Sequence, residues 1–329
     1  MNKLITTILF MKKTTFRILM IASAILFIVA CTNTKNKEAA NTVYKANGDA
    51  VYPSIEGMIP HAVALADKGD DEGNLKVQLE VGKVMEVDCN LHNLEGKFEE
   101  ETLEGYGYEY YIFETNGNIA STLMACPDDT KTEKFISGQD HFISYNSKLT
   151  TPVYTPEGYE VRYTTWNVDN EYTAMQNPDE SINPDAAKQV KSFPESMEDY
   201  DRYVIYLPSH DNEEALRLEV IPGVVKEVDC NTHWLMGEFE TKVVEGMGYE
   251  YLVFNSNGDI ASTRMACPDN ELTEKFIAAN GHFGRYNSQM SVVVFVPKGM
   301  KLKFKTWKAN DTQVADKMKS TVNINRKRK

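Results

Sequence analysis

The sequence lacks the motifs by which many enzymes are recognised. It contains no Gly-x-Ser-x-Gly nucleophile elbow, no His-Glu-x-x-His helix and no phosphate-binding loop, although serine, histidine and aspartate are individually plentiful. We therefore expect no enzymatic activity, no catalytic residues, no cofactor and no metal site.

Basic residues are outnumbered, with 35 Lys and Arg against 48 Asp and Glu and a formal net charge of -13. The first 30 residues carry four of these positive charges and no acid, so their removal takes the net charge from -13 to -17. Such a surface repels nucleic acid and anionic lipid heads. No basic stripe precedes the last four residues, 326–329, so we expect no nucleic-acid partner.

The N-terminal apolar run, Ile18 to Ala30, is too short to span a membrane. It follows the basic segment Met11 to Arg17, as in a signal peptide over residues 1–30. The run ends in Ile-Val-Ala-Cys31, which resembles the lipobox of exported bacterial lipoproteins anchored to a membrane by an acylated cysteine. The alternative is an ordinary signal peptide followed by a free thiol.

The rest of the chain is a tandem duplication with an offset of 141 residues and no gap. Val87 to Asn90 recurs as Val228 to Asn231, and Ala120 to Asp128 recurs as Ala261 to Asp269 with one change. The sequence therefore predicts a polar tether over 31–51, domains over 52–169 and 193–312, a linker over 170–192 and a polar, basic tail over 313–329.

Within each copy, short segments such as Leu75 to Val81 and Lys301 to Lys305 alternate apolar with polar residues, as β-strands do. Asn116-Gly117 and Asn257-Gly258 are typical of hairpin turns. The pattern predicts an all-β fold, with hints of helix only over Asp185 to Lys191 and in the C-terminal tail.

Each copy has two cysteines, and an exported chain favours disulfides Cys89–Cys126 and Cys230–Cys267. The alternative is a zinc site in each copy. In the first copy His92 and His141 would join the two cysteines, and in the second copy His233 and His282 would do so, but the ligands lack the short paired spacing of structural zinc sites.

Several blocks resemble the ecotin family in the family's order. They include Val87 to His92, Leu103 to Tyr108, Ser121 to Asp128 and the closing Trp166, so the likeness covers essentially all of each copy. The resemblance implies antiparallel β-barrel or sandwich domains that inhibit trypsin-fold serine proteases in the periplasm. Because ecotins dimerise by exchanging C-terminal strands, it also suggests an intramolecular pseudo-dimer with Tyr159 to Trp166 and Met300 to Trp307 at the contact.

The resemblance also assigns site residues by their position in the family's blocks. The reactive loops are Ser121, Thr122, Leu123, Met124, Ala125 and Ser262, Thr263, Arg264, Met265, Ala266, with reactive bonds Leu123–Met124 and Arg264–Met265. The supporting loops are Leu91, His92, Asn93 and Thr232, His233, Trp234. A secondary binding surface is Tyr106, Gly107, Tyr108 and Met247, Gly248, Tyr249, whose other part, near 137–141 and 278–282, looks shortened. Asn93 and Trp234 depart from the arginine usual at that position.

Comparison of the two reactive loops favours an outward side chain at one position. The flanks Ala-Ser-Thr and Met-Ala-Cys-Pro-Asp are identical, and only Leu123 changes, to Arg264. A buried position does not tolerate that exchange, because an unpaired buried charge is costly. Together with this outward position, the resemblance implies a double-headed inhibitor of trypsin-, chymotrypsin- or elastase-like proteases. The competing hypothesis is a surface adhesin or scaffold lipoprotein without inhibitory activity.

Overall fold

The computed structural model describes residues 42–268 and 271–322, and most of them are β-strand. The signal peptide and Cys31 lie outside these residues. The chain divides into two compact units, of which one contains residues 42–56 and 319–322 and the other residues 57–318. The strands of the small unit are β1 (Thr42–Lys45), β2 (Val51–Tyr52) and β24 (Ser320–Val322), and they form one antiparallel sheet in the order β2-β1-β24.

The large unit contains both repeats. The strands of the first are β3 (Met58–Val63), β4 (Leu75–Val87), β5 (His92–Leu94), β6 (Lys97–Leu103), β7 (Tyr108–Glu114), β8 (Ile119–Ser121), β9 (Thr132–Ser137), β10 (His141–Ser144), β11 (Thr151–Pro156) and β12 (Glu160–Thr173). The later strands are β13 (Tyr200–Ile205), β14 (Leu216–Val228), β15 (His233–Leu235), β16 (Glu238–Val243), β17 (Glu250–Asn255), β18 (Ile260–Ser262), β19 (Thr273–Ala278), β20 (His282–Arg285), β21 (Val292–Pro297), β22 (Lys301–Val314) and β23 (Asp316–Lys317).

Helical structure in the described residues is short. One α-helix, α1 (Pro184–Gln189), and four 3-10 segments are present: Gly69–Asn74, Glu180–Ile182, Val190–Ser192 and Glu213–Ala215. Asn183 caps α1 by accepting a hydrogen bond from the Ala186 amide, and Pro184 fits the first turn. None of the described helices is long and apolar enough to cross a membrane.

Each repeat is a sandwich of two sheets. β4 and β14 keep alternate apolar residues buried, as their sequence pattern predicts, and each repeat has its own core cluster. The opposing sheets are β23-β3-β11-β7-β6 and β13-β21-β17-β16. The all-β prediction is confirmed, but β7 and β17 run parallel to β11 and β21, so the sheets are not purely antiparallel.

A single eight-stranded sheet joins the two repeats. Its central pair is β12 with β22, antiparallel, with Asn167 opposite Lys308. These two positions are equivalent in the duplication, so they mark a local twofold axis. Phe142 and its equivalent Phe283 also contact one another, with ring centroids 4.5 Å apart. The repeats therefore form an intramolecular pseudo-dimer, and the pairing extends beyond the predicted segments, to Thr173 and Val314.

The strand ends are exchanged between the repeats. After β22, β23 pairs with β3 of the first repeat, and Ala315 is 5% exposed in the first core cluster. Reciprocally, Met175 bridges to Val204, and Ala174 lies in the second core cluster. The sequence hints at helix in the C-terminal tail. In the described part of that tail, residues 316–317 and 320–322 instead form strands, because their backbones pair with β3 and β1 respectively. Residues 170–173, placed by sequence in the linker, belong to β12.

The Asn-Gly turns do not close hairpins. β8 follows the Asn116-Gly117 turn but pairs with β5 instead of β7, and the second repeat repeats this arrangement with β18 and β15. Gly117 has φ +81°, and its amide donates to the Thr115 hydroxyl, so local side-chain bonds hold the turn. This change of sheet carries the chain out toward the loop after Ser121.

We expect the exchange to make Ala315 a determinant of the first repeat's stability. In Ala315→Asn a side-chain amide without a hydrogen-bond partner enters the first core, which lowers the free energy of unfolding by about 1 to 3 kcal/mol. Hydrogen exchange should therefore accelerate in β4 and β11. The matched variant Ala174→Asn should instead accelerate exchange in β14 and β21. Faster exchange confined to the second repeat in Ala315→Asn would contradict the exchanged arrangement.

Candidate functional site

The loop after β8 presents its central side chain to solvent. Leu123 is 97% exposed, and Met124 beside it is also exposed. In the second repeat Arg264 and Met265 are exposed at the equivalent positions. A fully exposed leucine gains no burial energy within its own chain, so its apolar surface is available to a partner.

The backbone of this loop is held by one buried side chain, that of Asn90. Its Oδ1 accepts hydrogen bonds from the Met124 amide (2.8 Å) and the Thr122 hydroxyl (2.9 Å). Its Nδ2 donates to the Met124 carbonyl (3.3 Å) and to Asp88 Oδ2 (3.1 Å). Asn90 thus fixes both sides of the Leu123–Met124 bond. The motifs of the sequence assign no role to Asn90. Its recurrence as Asn231, again directly after a paired cysteine, is the one sequence feature that could have indicated a role in the loop.

The supporting loop reaches the reactive loop through backbone bonds and a disulfide. The Thr122 amide donates to the Leu91 carbonyl (3.0 Å), and the Leu91 amide donates to the Thr122 hydroxyl (3.1 Å). Cys89 is bonded to Cys126, with Cα atoms 5.7 Å apart. The Leu123 backbone is therefore anchored on both sides.

The His92 side chain holds the supporting loop through contacts with Asn90 and Asp88. Its Nδ1 lies 2.9 Å from the Asn90 carbonyl, and its Nε2 lies 3.5 Å from Asp88 Oδ1. The next residue, Asn93, is exposed opposite Ala120 in the β5–β8 pair.

Hydrogen bonds from the backbone amide and side chain of Asn90 lower the pKa of Asp88. The Asp88–Asn90 support is therefore present at neutral pH and is lost as the pH falls through that lowered pKa.

The second repeat reproduces this geometry. Asn231 Oδ1 accepts from the Met265 amide (2.7 Å) and the Thr263 hydroxyl (3.0 Å), and the Thr263 amide donates to the Thr232 carbonyl (3.0 Å). Cys230 is bonded to Cys267, so both disulfide predictions are confirmed. The differences lie in exposed side chains: Thr232 replaces Leu91, and the half-exposed Trp234 replaces Asn93.

The zinc alternative requires free thiolates, and the four cysteine sulfurs are all in disulfides. His92 and His233 instead hold the supporting loops. His141 packs against Phe98 and Tyr111, with ring centroids 5.3 and 5.0 Å away. Within residues 42–268 and 271–322, no group of three or more histidine, cysteine or acidic side chains could hold a metal ion.

The residues assigned to the secondary surface form the turn between β6 and β7. Gly105 and Gly107 both have positive φ, which only glycine adopts without strain, and Tyr106 is exposed at the tip. Met247 is exposed at the same place in the second repeat, while Tyr249 stacks on Phe193, with centroids 5.9 Å apart. Along the chain, β7 and the Asn116-Gly117 turn lie between this turn and the reactive loop.

The sequence model of the ecotin family matches this chain twice, over residues 49–168 and 189–309. The chain belongs to the ecotin family. The ecotin of Serratia proteamaculans is 42% identical to it over 142 residues, which are 42% of this chain and 84% of that protein. The ecotin of Pseudomonas putida is 45% identical over 120 residues, 36% of this chain and 76% of that protein.

The ecotin of Yersinia enterocolitica is 39% identical over 125 residues, 37% of this chain and 74% of that protein. Each of these relatives thus matches a length close to one repeat. The family resemblance inferred from the motifs is confirmed, and with it membership in a family of serine protease inhibitors, present here as two tandem ecotin domains.

Proposed function

We propose that this ecotin is a double-headed, substrate-like inhibitor of trypsin-fold serine proteases with reactive bonds Leu123–Met124 and Arg264–Met265. One observation carries the proposal. In each repeat the side chain before the bond is exposed, while an asparagine, a threonine and a disulfide hold the backbone around it. A protease needs an accessible side chain in its substrate, and this loop offers one on a backbone held by hydrogen bonds and a disulfide.

The loop enters the protease as a substrate does. The carbonyl of Leu123 or Arg264 would receive the protease serine, with its oxygen in the oxyanion hole. Because the loop is already ordered by bonds to the supporting loop, little conformational entropy is lost on binding. The same rigidity raises the affinity for the protease and restrains the atoms of the reactive bond from the movements that cleavage requires.

The asparagine also explains why cleavage would not release the protease. Transfer of the Leu123 acyl group to the protease serine would leave the Met124 nitrogen as a free amine, and Asn90 Oδ1 already accepts from that nitrogen at 2.8 Å. The Cys89–Cys126 disulfide holds the same segment, so the amine stays beside the acyl-enzyme at a high effective concentration. Religation then competes with attack by water.

The two heads are proposed to select different proteases. A trypsin-like pocket has an aspartate at its base and pairs with Arg264, whereas a hydrophobic slot of chymotrypsin or elastase type accepts Leu123. Leu91, Thr232 and Trp234 would then contact the protease beside each reactive loop, and the turns at Tyr106 and Met247 would form a second contact. The chain itself would have no catalytic role.

We also propose export of the chain and lipid anchoring at Cys31, on the strength of the N-terminal sequence. An anchored inhibitor would protect the cell surface or periplasm from proteases. The acidic net charge supports protein partners over nucleic acid.

Sequential titration tests the two-headed proposal. With trypsin present in saturating amount, the chain should still inhibit one equivalent of chymotrypsin, because the second protease uses the other head. Size-exclusion chromatography should recover a complex of one inhibitor with both proteases. Complete competition between trypsin and chymotrypsin would show that only one head works, and absence of inhibition by either head would favour the scaffold hypothesis.

A further inference from the structure

The second repeat contains a cavity of about 560 Å³ between its two sheets, which is partly open to solvent. Apolar side chains line much of it: Leu218 and Val220 from β14, Leu252 from β17 and Val292 from β21. The polar residues of the lining include His282 on β20, Glu250 at the start of β17, Arg285 and Asn287. A cavity of this volume with a few polar groups is in the size range of small-molecule sites.

The first repeat shows what fills the corresponding space. Tyr111, equivalent to Leu252, is 3% exposed, and its ring centroid lies 5.0 Å from that of His141. Its hydroxyl donates to Glu109 Oε2 at 3.3 Å. Ile143, equivalent to Gly284, packs against the same core. Burial raises the pKa of Tyr111, so the phenol remains a neutral donor.

The second repeat has lost both filling side chains and kept their partners. Leu252 and Gly284 stand where Tyr111 and Ile143 stand in the first repeat, while His282 and Glu250 correspond to His141 and Glu109. A Cβ atom added to Gly284 would meet only the His282 ring, at 3.6 and 3.8 Å, so the space beside it is open.

The polar side chains of the cavity have unused capacity for hydrogen bonds and ring contacts. Among residues 57–268 and 271–318, the Glu250 side chain makes no hydrogen bond or ion pair, and the His282 ring contacts one aromatic ring, that of Phe239 at 5.5 Å. In the first repeat the equivalent histidine contacts both Phe98 and Tyr111. What the second repeat lacks is the phenol ring that Tyr111 places beside this histidine in the first repeat.

We propose that this cavity binds a small para-substituted phenol, with the ring against His282 and the hydroxyl donating to Glu250. The ligand occupies the space beside Leu252 and Gly284 that the outer part of the Tyr111 ring and the Ile143 side chain fill in the first repeat. A hydrogen bond from a neutral phenol to a carboxylate is charge-assisted and favours the phenol over its methyl ether. The site shares no residue with the reactive loops, although Gly248 and Tyr249 of the secondary binding surface also line the cavity.

Calorimetric titration of the full chain with 4-propylphenol tests the proposal. We expect one molecule bound per chain, with binding about tenfold or more weaker for 4-propylanisole, which has no hydroxyl to donate. Leu252→Tyr combined with Gly284→Ile copies the first repeat and should abolish binding. Leu252→Met, which conserves volume, should retain it. Gly284→Ile alone is a second filling variant that leaves β17 unchanged.

The reciprocal variant Tyr111→Leu with Ile143→Gly should create a second site and raise the stoichiometry toward two. Thermal unfolding of each variant checks that it remains folded. The proposal is overturned if 4-propylphenol does not bind the unaltered chain at millimolar concentration. It is also overturned if the ether binds as tightly as the phenol, or if a folded filling variant binds as the unaltered chain does.

Discussion

Arg264→Ala should weaken the binding of trypsin by about 2 to 5 kcal/mol, the usual cost of truncating one partner of a buried charge pair. The loss is large because the protease pocket keeps its aspartate, which would be buried without a cation. Inhibition of chymotrypsin should hardly change, because Arg264 belongs to the second repeat and Leu123 to the first. Equilibrium inhibition constants for both proteases, measured on the same preparation, give the comparison.

The matched variant is Leu123→Ala, which should reverse the pattern. It removes an apolar side chain that is 97% exposed in the free inhibitor, so the loss of chymotrypsin binding should be roughly 1.5 to 3 kcal/mol. Trypsin inhibition should stay the same. If neither substitution altered inhibition of either protease, the reactive bonds would lie elsewhere in the chain.

Asn90→Ala should turn the first head from an inhibitor into a slow substrate. The change removes the acceptor of the Met124 amide and the Thr122 hydroxyl and leaves the loop held by the disulfide and the Leu91 backbone. Loss of such hydrogen bonds costs about 1 to 3 kcal/mol, so net hydrolysis of Leu123–Met124 should accelerate by about 10- to 100-fold. Mass spectrometry of the chain incubated with chymotrypsin measures the cut fraction over time.

Asn231→Ala provides the internal control. It should accelerate cleavage of Arg264–Met265 by trypsin and leave Leu123–Met124 as resistant as in the unaltered chain. Thermal unfolding distinguishes a local effect on the loop from loss of the fold. Equal resistance of all three proteins to cleavage would remove the asparagine from the proposed mechanism.

Much of the fold can be predicted from the sequence because the patterns that indicate it are local or occur in both copies. Alternation over Leu75 to Val81 predicted part of β4, and the pairing of Cys89 with Cys126 followed from two cysteines per copy in an exported chain. The exposed position of Leu123 could be argued because the duplication supplies its own comparison, with arginine between identical flanks.

Other features were out of reach because they depend on which strands meet. The Asn116-Gly117 turn is typical of a hairpin, yet β8 leaves β7 and pairs with β5, and no local pattern distinguishes the two outcomes. The helix hinted over Asp185 to Lys191 is confirmed as α1, but the segment was assigned to a linker, whereas its Ala186 and Ala187 lie in a core cluster of the second repeat. Small residues in a polar stretch gave no sign of that packing.

The sequence by itself determined the duplication, the β class, the family and the two cysteine pairs, because each rests on residue identity and spacing along the chain. Only the tertiary structure decided that β12 and β22 pair about Asn167 and Lys308, that Ala315 completes the core of the first repeat, and that Asn90 holds Met124. Each of these joins residues distant in sequence, and such contacts are selected by the packing of whole sheets.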